Sequence, residues 1–126
     1  MSLLAIFEYY NILTIQYGMD SPLHRYKAEF FKTLGHPLRL AILDALMEGS
    51  LSVTALQAVT EADQSMLSQH LARLRNMNFV TARRDGTTVF YHVHDQEVYK
   101  FLDMARTIYG RQLKRSEDIL TEFKQT

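Results

Sequence analysis

The chain has 126 residues, 47% of them hydrophobic, and its 14 Lys and Arg balance its 14 Asp and Glu. This length supports one hydrophobic core but not two. The net charge of zero does not by itself indicate a nucleic-acid partner. The chain contains no cysteine, which excludes disulfides, thiolate metal ligands and thiol-based redox sensing. Because no segment has the uninterrupted apolar length of a membrane span, we predict a soluble, cytoplasmic protein with no membrane contact.

The first segment, residues 2–17, is rich in apolar and aromatic residues and is predicted to form a helix. Glu8 interrupts it and no basic region precedes it, so we do not predict a signal peptide. A helix with so many apolar side chains needs cover, which favours packing against a partner subunit. The residues predicted to share one side of this helix are Ile6, Tyr10, Leu13 and Tyr17.

Capping and turn signals divide the next part of the chain into short helices. Ser21 and Pro22 begin a helix that Gly35 ends, because serine caps helix starts, proline suits the first turn and glycine suits the end. Phe30 is predicted to face inward from this helix. The same signals predict further helices that begin at His36-Pro37, Ser52 and Asp63.

The stretch from Asp63 to Asn76 predicts a short amphipathic helix with a polar outer face. Leu67, Leu71 and Leu74 recur at i, i+4 and i+7, which places them on one apolar stripe. The opposite face carries hydroxyl, amide and arginine groups and no acid. Such a face fits a DNA major groove, where these groups can bind base edges or phosphates. The residues predicted to make these contacts are Ser65, Ser68, Gln69 and Arg73.

A two-stranded hairpin is predicted directly after this helix. From Val80 to Val93, apolar residues alternate with polar or basic ones, which is the period of a strand. Asp85-Gly86 predicts the two-residue turn, because both residue types tolerate positive φ. From Gln64 to Arg84 the chain has four arginines and no Asp or Glu, which predicts a basic patch with salt-dependent phosphate binding. The predicted DNA-contacting residues of the hairpin are Arg83, Arg84 and Thr87.

The C-terminal segment predicts a long amphipathic helix over about residues 96–124, capped by Asp95. We expect its main part to run towards Arg115, with Ser116 capping a final turn or two through Phe123. Its stripe is more apolar than a small monomer needs, which favours a role in dimerisation. The residues predicted for the dimer interface are Tyr10, Leu13, Phe30, Val98, Phe101, Leu102, Ala105, Ile108 and Tyr109.

Together these elements predict a mainly α fold with a β-hairpin wing, that is, a winged helix-turn-helix of the α+β class. Residues 1–22 are predicted to form a helical extension and linker, and residues 23–126 the winged-helix domain with its C-terminal dimerisation helix. The predicted function is sequence-specific DNA binding. Two alternatives stay open, an ordinary surface hairpin with solvated arginines and a winged helix that binds only protein. The acid-free basic patch favours DNA.

Three stretches of the chain resemble the ArsR/SmtB family of bacterial winged-helix repressors. They are FKTLGHPLRLAIL from Phe31, QSxxSQHLxxL from Gln64, and the wing over residues 80–91. The resemblance covers about residues 26–102. It implies a homodimer paired through its first and last helices, repression at an inverted-repeat operator in double-stranded DNA, and release by an inducer.

The resemblance also implies roles for individual residues. It assigns groove contacts to Gln64, Ser65, Ser68 and Gln69, and phosphate contacts to Arg83 and Arg84. Helical geometry agrees for three of the groove residues and places Gln64 on the flank. Arg73 is predicted from helical geometry and not from the family.

The metal-ligand pattern of that family is broken in this sequence. One family site uses cysteines in the first helix of the reading head, where residues 51–56 have none. A second site needs ligands at the start of the last helix and two more about three turns on. Asp95 and Glu97 stand at the first pair, but Ile108 and Arg111 stand at the second. Isoleucine cannot ligate and arginine adds positive charge, so we predict neither a metal nor a cofactor.

Two histidines keep a metal- or pH-responsive alternative open. His92 and His94 point to one face if they lie on a strand, and Asp95 follows them. Two ligands with a doubtful third are too few for a tight metal site, although imidazoles titrate near neutrality. An unidentified small-molecule inducer is a further option. No phosphate loop, nucleophile elbow or Ser-His-Asp spacing is present, so we do not predict an enzyme.

Overall fold

The structure of the chain, a computed structural model, describes residues 2–19 and 21–125. Its elements follow the predicted order of short helices, hairpin and long C-terminal helix. They are α1 (Leu3–Tyr17), α2 (Pro22–Leu34), α3 (Pro37–Ala45), β1 (Leu51–Ser52), α4 (Val53–Thr60), α5 (Gln64–Asn76), β2 (Val80–Asp85), β3 (Thr88–Val93) and α6 (Glu97–Gln125). The predicted winged helix-turn-helix, mainly α with a β-hairpin, is confirmed.

Capping side chains fix where the central helices begin. Ser21, Ser52 and Asp63 each accept a hydrogen bond from the amide three residues further on, at 3.1, 3.1 and 2.8 Å. These bonds satisfy first-turn amides that have no partner inside the helix. His36 caps α3 with its ring, whose Nδ1 accepts from the Leu38 amide at 3.1 Å. The predicted starts of α2, α3, α4 and α5 are therefore confirmed.

The hydrophobic core lies between α3, α4, α5 and the base of the hairpin. The predicted stripe of α5 is confirmed, since Leu67, Leu71 and Leu74 are at most 1% exposed. Full burial of each such side chain contributes about 1.5–3 kcal/mol, which fixes α5 on the body of the domain. The remaining core residues are Leu34, Ile42, Leu43, Leu46, Leu56, Phe79, Val80, Val93 and Val98.

A short strand that was not predicted adds to the hairpin. β1 pairs antiparallel with β3, with Leu51 opposite Tyr91, so the sheet order is β1-β3-β2. Ser52 both ends this strand and caps α4. A strand of two residues has no periodicity, so sequence patterns cannot reveal it.

The hairpin turn lies one residue later than predicted. Asp85 is the last residue of β2 and pairs with Thr88, so the two loop residues are Gly86 and Thr87. Gly86 has φ of 64°, as the first position of a type II′ turn requires. Positive φ is needed only at that glycine, and the prediction of Asp85-Gly86 as the turn is wrong by one residue.

The C-terminal helix α6 is continuous over 29 residues, which corresponds to about 43 Å. The predicted break at Ser116 is wrong. The Ser116 hydroxyl donates to the Gln112 carbonyl at 3.1 Å, a bond inside the helix that leaves it unbroken. Asp95 does accept from the Glu97 amide at 3.0 Å, as expected for a residue that caps the helix start.

The N-terminal helix α1 lies outside the core. Of its described side chains, Leu13 is partly buried and none belongs to the core cluster. Large apolar side chains project from α1 into solvent on several sides, and Phe7 and Tyr10 are 64% and 63% exposed. Nowhere in residues 2–19 and 21–125 is a helix both long and apolar enough to cross a membrane.

Candidate DNA-binding surface

The outer face of α5 presents the predicted base-reading groups to solvent. Gln64, Ser65, Ser68 and Gln69 are exposed, while the three leucines on the opposite side anchor the helix. Hydroxyl and amide groups at these positions can donate to and accept from base edges. The face is held rigidly because its back is packed, which favours precise contacts.

A buried arginine of α3 fixes α5 from the side. Arg39 is 8% exposed, and its Nε and Nη2 donate to the carbonyls of Thr33 and Lys32 at the end of α2, at 2.5 and 3.0 Å. Its Nη1 lies 2.9 Å from Nδ1 of His70 on α5. One guanidinium thus joins α2, α3 and α5. It also satisfies the Thr33 carbonyl at the helix end, and it is a second donor to the Lys32 carbonyl, which accepts the Gly35 amide at 3.2 Å.

The surroundings of the histidine in this network disfavour its charged form. The rings of His36 and His70 lie 4.1 Å apart between centroids, tilted by 30°. Burial lowers the pKa of His70, and the neighbouring His36, Arg39 and Arg73 lower it further. Burial and the nearby Arg73 also lower the pKa of Arg39. A neutral His70 can accept the hydrogen bond of Arg39, which a charged imidazolium cannot.

Arg73 is paired with an acid that is distant in sequence. Its Nη2 lies 3.3 Å from Oε2 of Glu29 on α2, and both side chains are about half exposed, at 43% and 52%. The segment from Gln64 to Arg84 contains no acid, but the folded protein places the Glu29 carboxylate beside α5. An exposed pair of this kind is weak, about 0–1 kcal/mol, so a phosphate can displace it.

The two wing arginines point to opposite faces of the hairpin. Arg83 pairs with Phe90 and Arg84 with Val89 in the register of β2 and β3, and successive residues of a strand alternate between faces. The Arg83 guanidinium lies 5.3 Å from the centre of the Phe90 ring and 4.0 Å from the Asp85 carboxylate. Thr87 is exposed in the turn. The tip is therefore charged on both faces.

The predicted dimer residues divide into two groups. Phe30 and Val98 pack within their own chain, since Phe30 is half-buried with its ring 4.9 Å from that of Phe79 and Val98 lies in the core. Both residues therefore make contacts within the chain, and their place in the dimer interface stays a prediction. Leu13, Leu102 and Ala105 are partly buried, and Tyr10, Phe101, Ile108 and Tyr109 are exposed.

The two candidate histidine ligands remain without a third ligand. His92 is partly buried on β3, and His94 follows the strand with Nδ1 3.3 Å from the Thr81 hydroxyl. In the part of the chain that the structure describes, no three His, Asp or Glu side chains lie close enough to hold a metal ion together.

Sequence analysis missed the three residues that contact α5 side chains from α2 and from the start of α3, which are Glu29, His36 and Arg39. Arg39 had a detectable signal, because it precedes the buried Leu43 by four residues and so shares its face of the helix. Glu29 had none, since its partner lies 44 residues away in the chain.

Comparison with known proteins places the chain among bacterial regulators. The family described as bacterial regulatory protein, arsR family, matches residues 36–82. The HTH-type transcriptional regulator Rv0081 of Mycobacterium tuberculosis is 38% identical over 106 residues, which cover 83% of this chain and 93% of that protein. The chain belongs to the ArsR family. A crystal structure of Rv0081 covers 77% of this chain and 98% of its own, with a TM-score of 0.72 at 40% identity.

Two further similar proteins carry informative names. The biofilm growth-associated repressor of Xylella fastidiosa is 34% identical over 89 residues, 71% of this chain and 78% of that protein. The homodimeric winged helix-turn-helix domain Mb0332 of Mycobacterium bovis has a TM-score of 0.67 at 26% identity, covering 78% and 91% of the two chains. This ArsR chain is thus a DNA-binding transcriptional regulator with a winged helix.

Proposed function

We propose that this ArsR-family chain is a non-enzymatic, homodimeric repressor that occupies an inverted-repeat operator and leaves it when an inducer binds. The observation that carries the proposal is the exposed, polar outer face of α5 beside an arginine-bearing wing. In such a dimer the two α5 helices enter successive major-groove faces about 34 Å apart. The names of the Xylella repressor and of the homodimeric Mb0332 domain support repression and dimerisation.

Within this surface we assign two kinds of contact. Ser65, Ser68 and Gln69 face base edges, with Gln64 at the flank, because their groups are exposed on the outer face of α5. Arg83, Arg84 and Thr87 grip the flanking backbone, because charge and hydroxyl groups at an exposed tip suit phosphates. Arg73 joins them when a phosphate replaces Glu29.

The direct test titrates the protein onto the DNA upstream of its own gene, at low and near-physiological salt, against a scrambled duplex. We expect binding that weakens with salt and stays well above the scrambled control. Equal binding to both duplexes would contradict sequence-specific recognition. Transcription from that DNA should fall when the protein is added, and a rise would make it an activator.

Variants separate the two kinds of contact. S65A/Q69A should reduce the preference for the operator over scrambled DNA, because it removes base readout. R83E/R84E should weaken binding to both duplexes and leave the oligomeric state unchanged. K114E/R115E is the matched control, since it reverses two charges at exposed positions of α6. Operator affinity that survives R83E/R84E would contradict the assignment of the wing.

A further inference from the structure

A cavity of ≈ 440 Å³ opens between α2, the turn after α5 and the start of α6. Its floor is aromatic, with the Phe30 ring 4.9 Å from that of Phe79 and 6.0 Å from that of Phe101. Tyr26 and Met77 add to this wall. The volume is that of an ordinary small-molecule site, and the cavity lies away from the outer face of α5.

The rim of this cavity is polar and acidic. Asp95 and Glu97 line it with His94 and Asn78, while no lysine or arginine is among the described residues that do. One oxygen of Asp95 accepts the Glu97 amide at 3.0 Å, and Glu97 is 3.0 Å from Lys100, which does not line the cavity. The rim therefore keeps a net negative charge after the Lys100 pair and the partial positive charge of the α6 N-terminus are counted.

We propose that this cavity binds a small organic cation, an amine or quaternary ammonium group on an apolar body. Aromatic ring faces carry negative electrostatic potential and attract such cations, and the carboxylates at the rim add to the attraction. The apolar body would cover the Phe30 and Phe79 rings. A metal ion is a poor alternative, because the lining lacks a cluster of three ligands within residues 2–19 and 21–125.

The site shares Phe30, Val98 and Phe101 with the predicted dimer interface. The contact between the Phe30 and Phe79 rings lies within one chain, so part of the aromatic floor is present in each protomer. α2 forms one wall and also carries Glu29, which holds Arg73 of α5. The proposal goes beyond operator binding and does not depend on it.

The test uses benzyltrimethylammonium as the probe, with benzyl alcohol as its uncharged counterpart and benzoate as its anionic one. Binding to the full chain is measured by calorimetry and by NMR shifts, without DNA. We expect the cation to bind at least about tenfold more tightly than benzyl alcohol, and benzoate not to bind. Equal affinity for the cation and the alcohol, or no binding of the cation, would overturn the proposal.

Variants locate the site. D95N/E97Q should weaken cation binding about tenfold, and asparagine at position 95 keeps a side-chain oxygen for the helix cap. E117Q/D118N is the control, because it removes the same charge from exposed positions some twenty residues further along α6, about 30 Å away. An unchanged affinity in D95N/E97Q, or an equal loss in E117Q/D118N, would overturn the assignment. The single variants D95N and E97Q serve if the double variant unfolds. Since no DNA is present, failure here leaves the operator result standing.

Discussion

At the scale of single residues, Arg39 links three helices of the reading head. Its guanidinium binds two carbonyls at the end of α2 and the ring of His70 on α5. Burial of this charged side chain, which is 8% exposed, costs desolvation free energy, and its hydrogen bonds offset that cost. Removal of the guanidinium takes away the donor that Arg39 supplies to the buried Thr33 carbonyl and to the His70 ring, while the Lys32 carbonyl keeps the Gly35 amide.

We expect R39M to lower the free energy of unfolding by about 2–4 kcal/mol, since it removes the donor that Arg39 supplies to the buried Thr33 carbonyl and to the His70 ring. Urea unfolding followed by circular dichroism measures this. R75M is the control, because Arg75 is exposed on α5, one of the helices that Arg39 joins, and its change should stay within about 0.5 kcal/mol. Equal losses in the two variants would show that the Arg39 network does not hold the helices together.

The lowered pKa of His70 predicts that the protein is less stable in acid. The unfolded chain takes up a proton at this residue near pH 6.5, whereas the folded chain does so at lower pH. Protons therefore favour unfolding, and the stability present above about pH 6.5 should decline as the pH falls below it. Unfolding free energies measured from about pH 7 to pH 5 should show this decline.

H70Q should lose less stability over that range than the unaltered chain, because glutamine can accept the Arg39 hydrogen bond and does not titrate. H94Q is the control, since His94 is exposed outside this network. If H70Q declined with pH as steeply as the unaltered chain, another group would be responsible for the acid sensitivity.

At the scale of elements, α2 contacts both the C-terminal helix α6 and the reading helix α5. On one side, Phe31 meets Phe101 of α6 with ring centroids 5.9 Å apart. On another, Glu29 holds Arg73 of α5, and the carbonyls of its last turn bind Arg39. A displacement of α2 against α6 would therefore reach the reading helix through polar contacts.

The Glu29–Arg73 pair predicts a competition between a carboxylate and a DNA phosphate. E29Q should free Arg73, which should raise operator affinity and steepen the slope of log K against log salt by about 0.9, the value for one more phosphate contact. E48Q, which removes an exposed acid elsewhere, should leave the slope unchanged. R73Q should abolish the effect of E29Q. An unchanged slope in E29Q would place Arg73 outside the DNA contact.

At the scale of the whole molecule, much apolar surface is left without cover in a single chain. Phe7 and Tyr10 of α1 and Ile108 and Leu113 of α6 are each more than half exposed. Exposed apolar surface of this extent is typical of an interface and not of a free monomer. This is the physical basis for the proposed homodimer.

I108E should weaken self-association at least about a hundredfold, because a carboxylate cannot be buried in an apolar contact without a partner. Sedimentation equilibrium measures the dissociation constant. T107E is the control, since Thr107 is the neighbouring exposed polar position of α6. If I108E and T107E associated equally well, the dimer contact would lie elsewhere.

Local signals predicted the elements and the reading helix well. The helix starts are predictable from Ser21, Ser52 and Asp63, because a capping side chain binds an amide only three residues away. The buried side of α5 is predictable from the helical spacing of its three leucines. The exposed Ser65 and Gln69 follow from the same period. All of this information is contained in short stretches of chain, which is also why the family resemblance is visible.

Contacts between distant residues could not be found in this way. The ion pair of Glu29 with Arg73, the bonds of Arg39 to α2 and α5, and the pairing of β1 with β3 each join positions that the sequence keeps far apart. The order of charged residues along the chain predicted an acid-free basic patch, but in the folded protein Glu29 lies beside Arg73 of that patch. Local sequence sets which groups a helix or strand carries, and packing sets which charges and rings meet, because Coulomb and contact energies depend on distance in space.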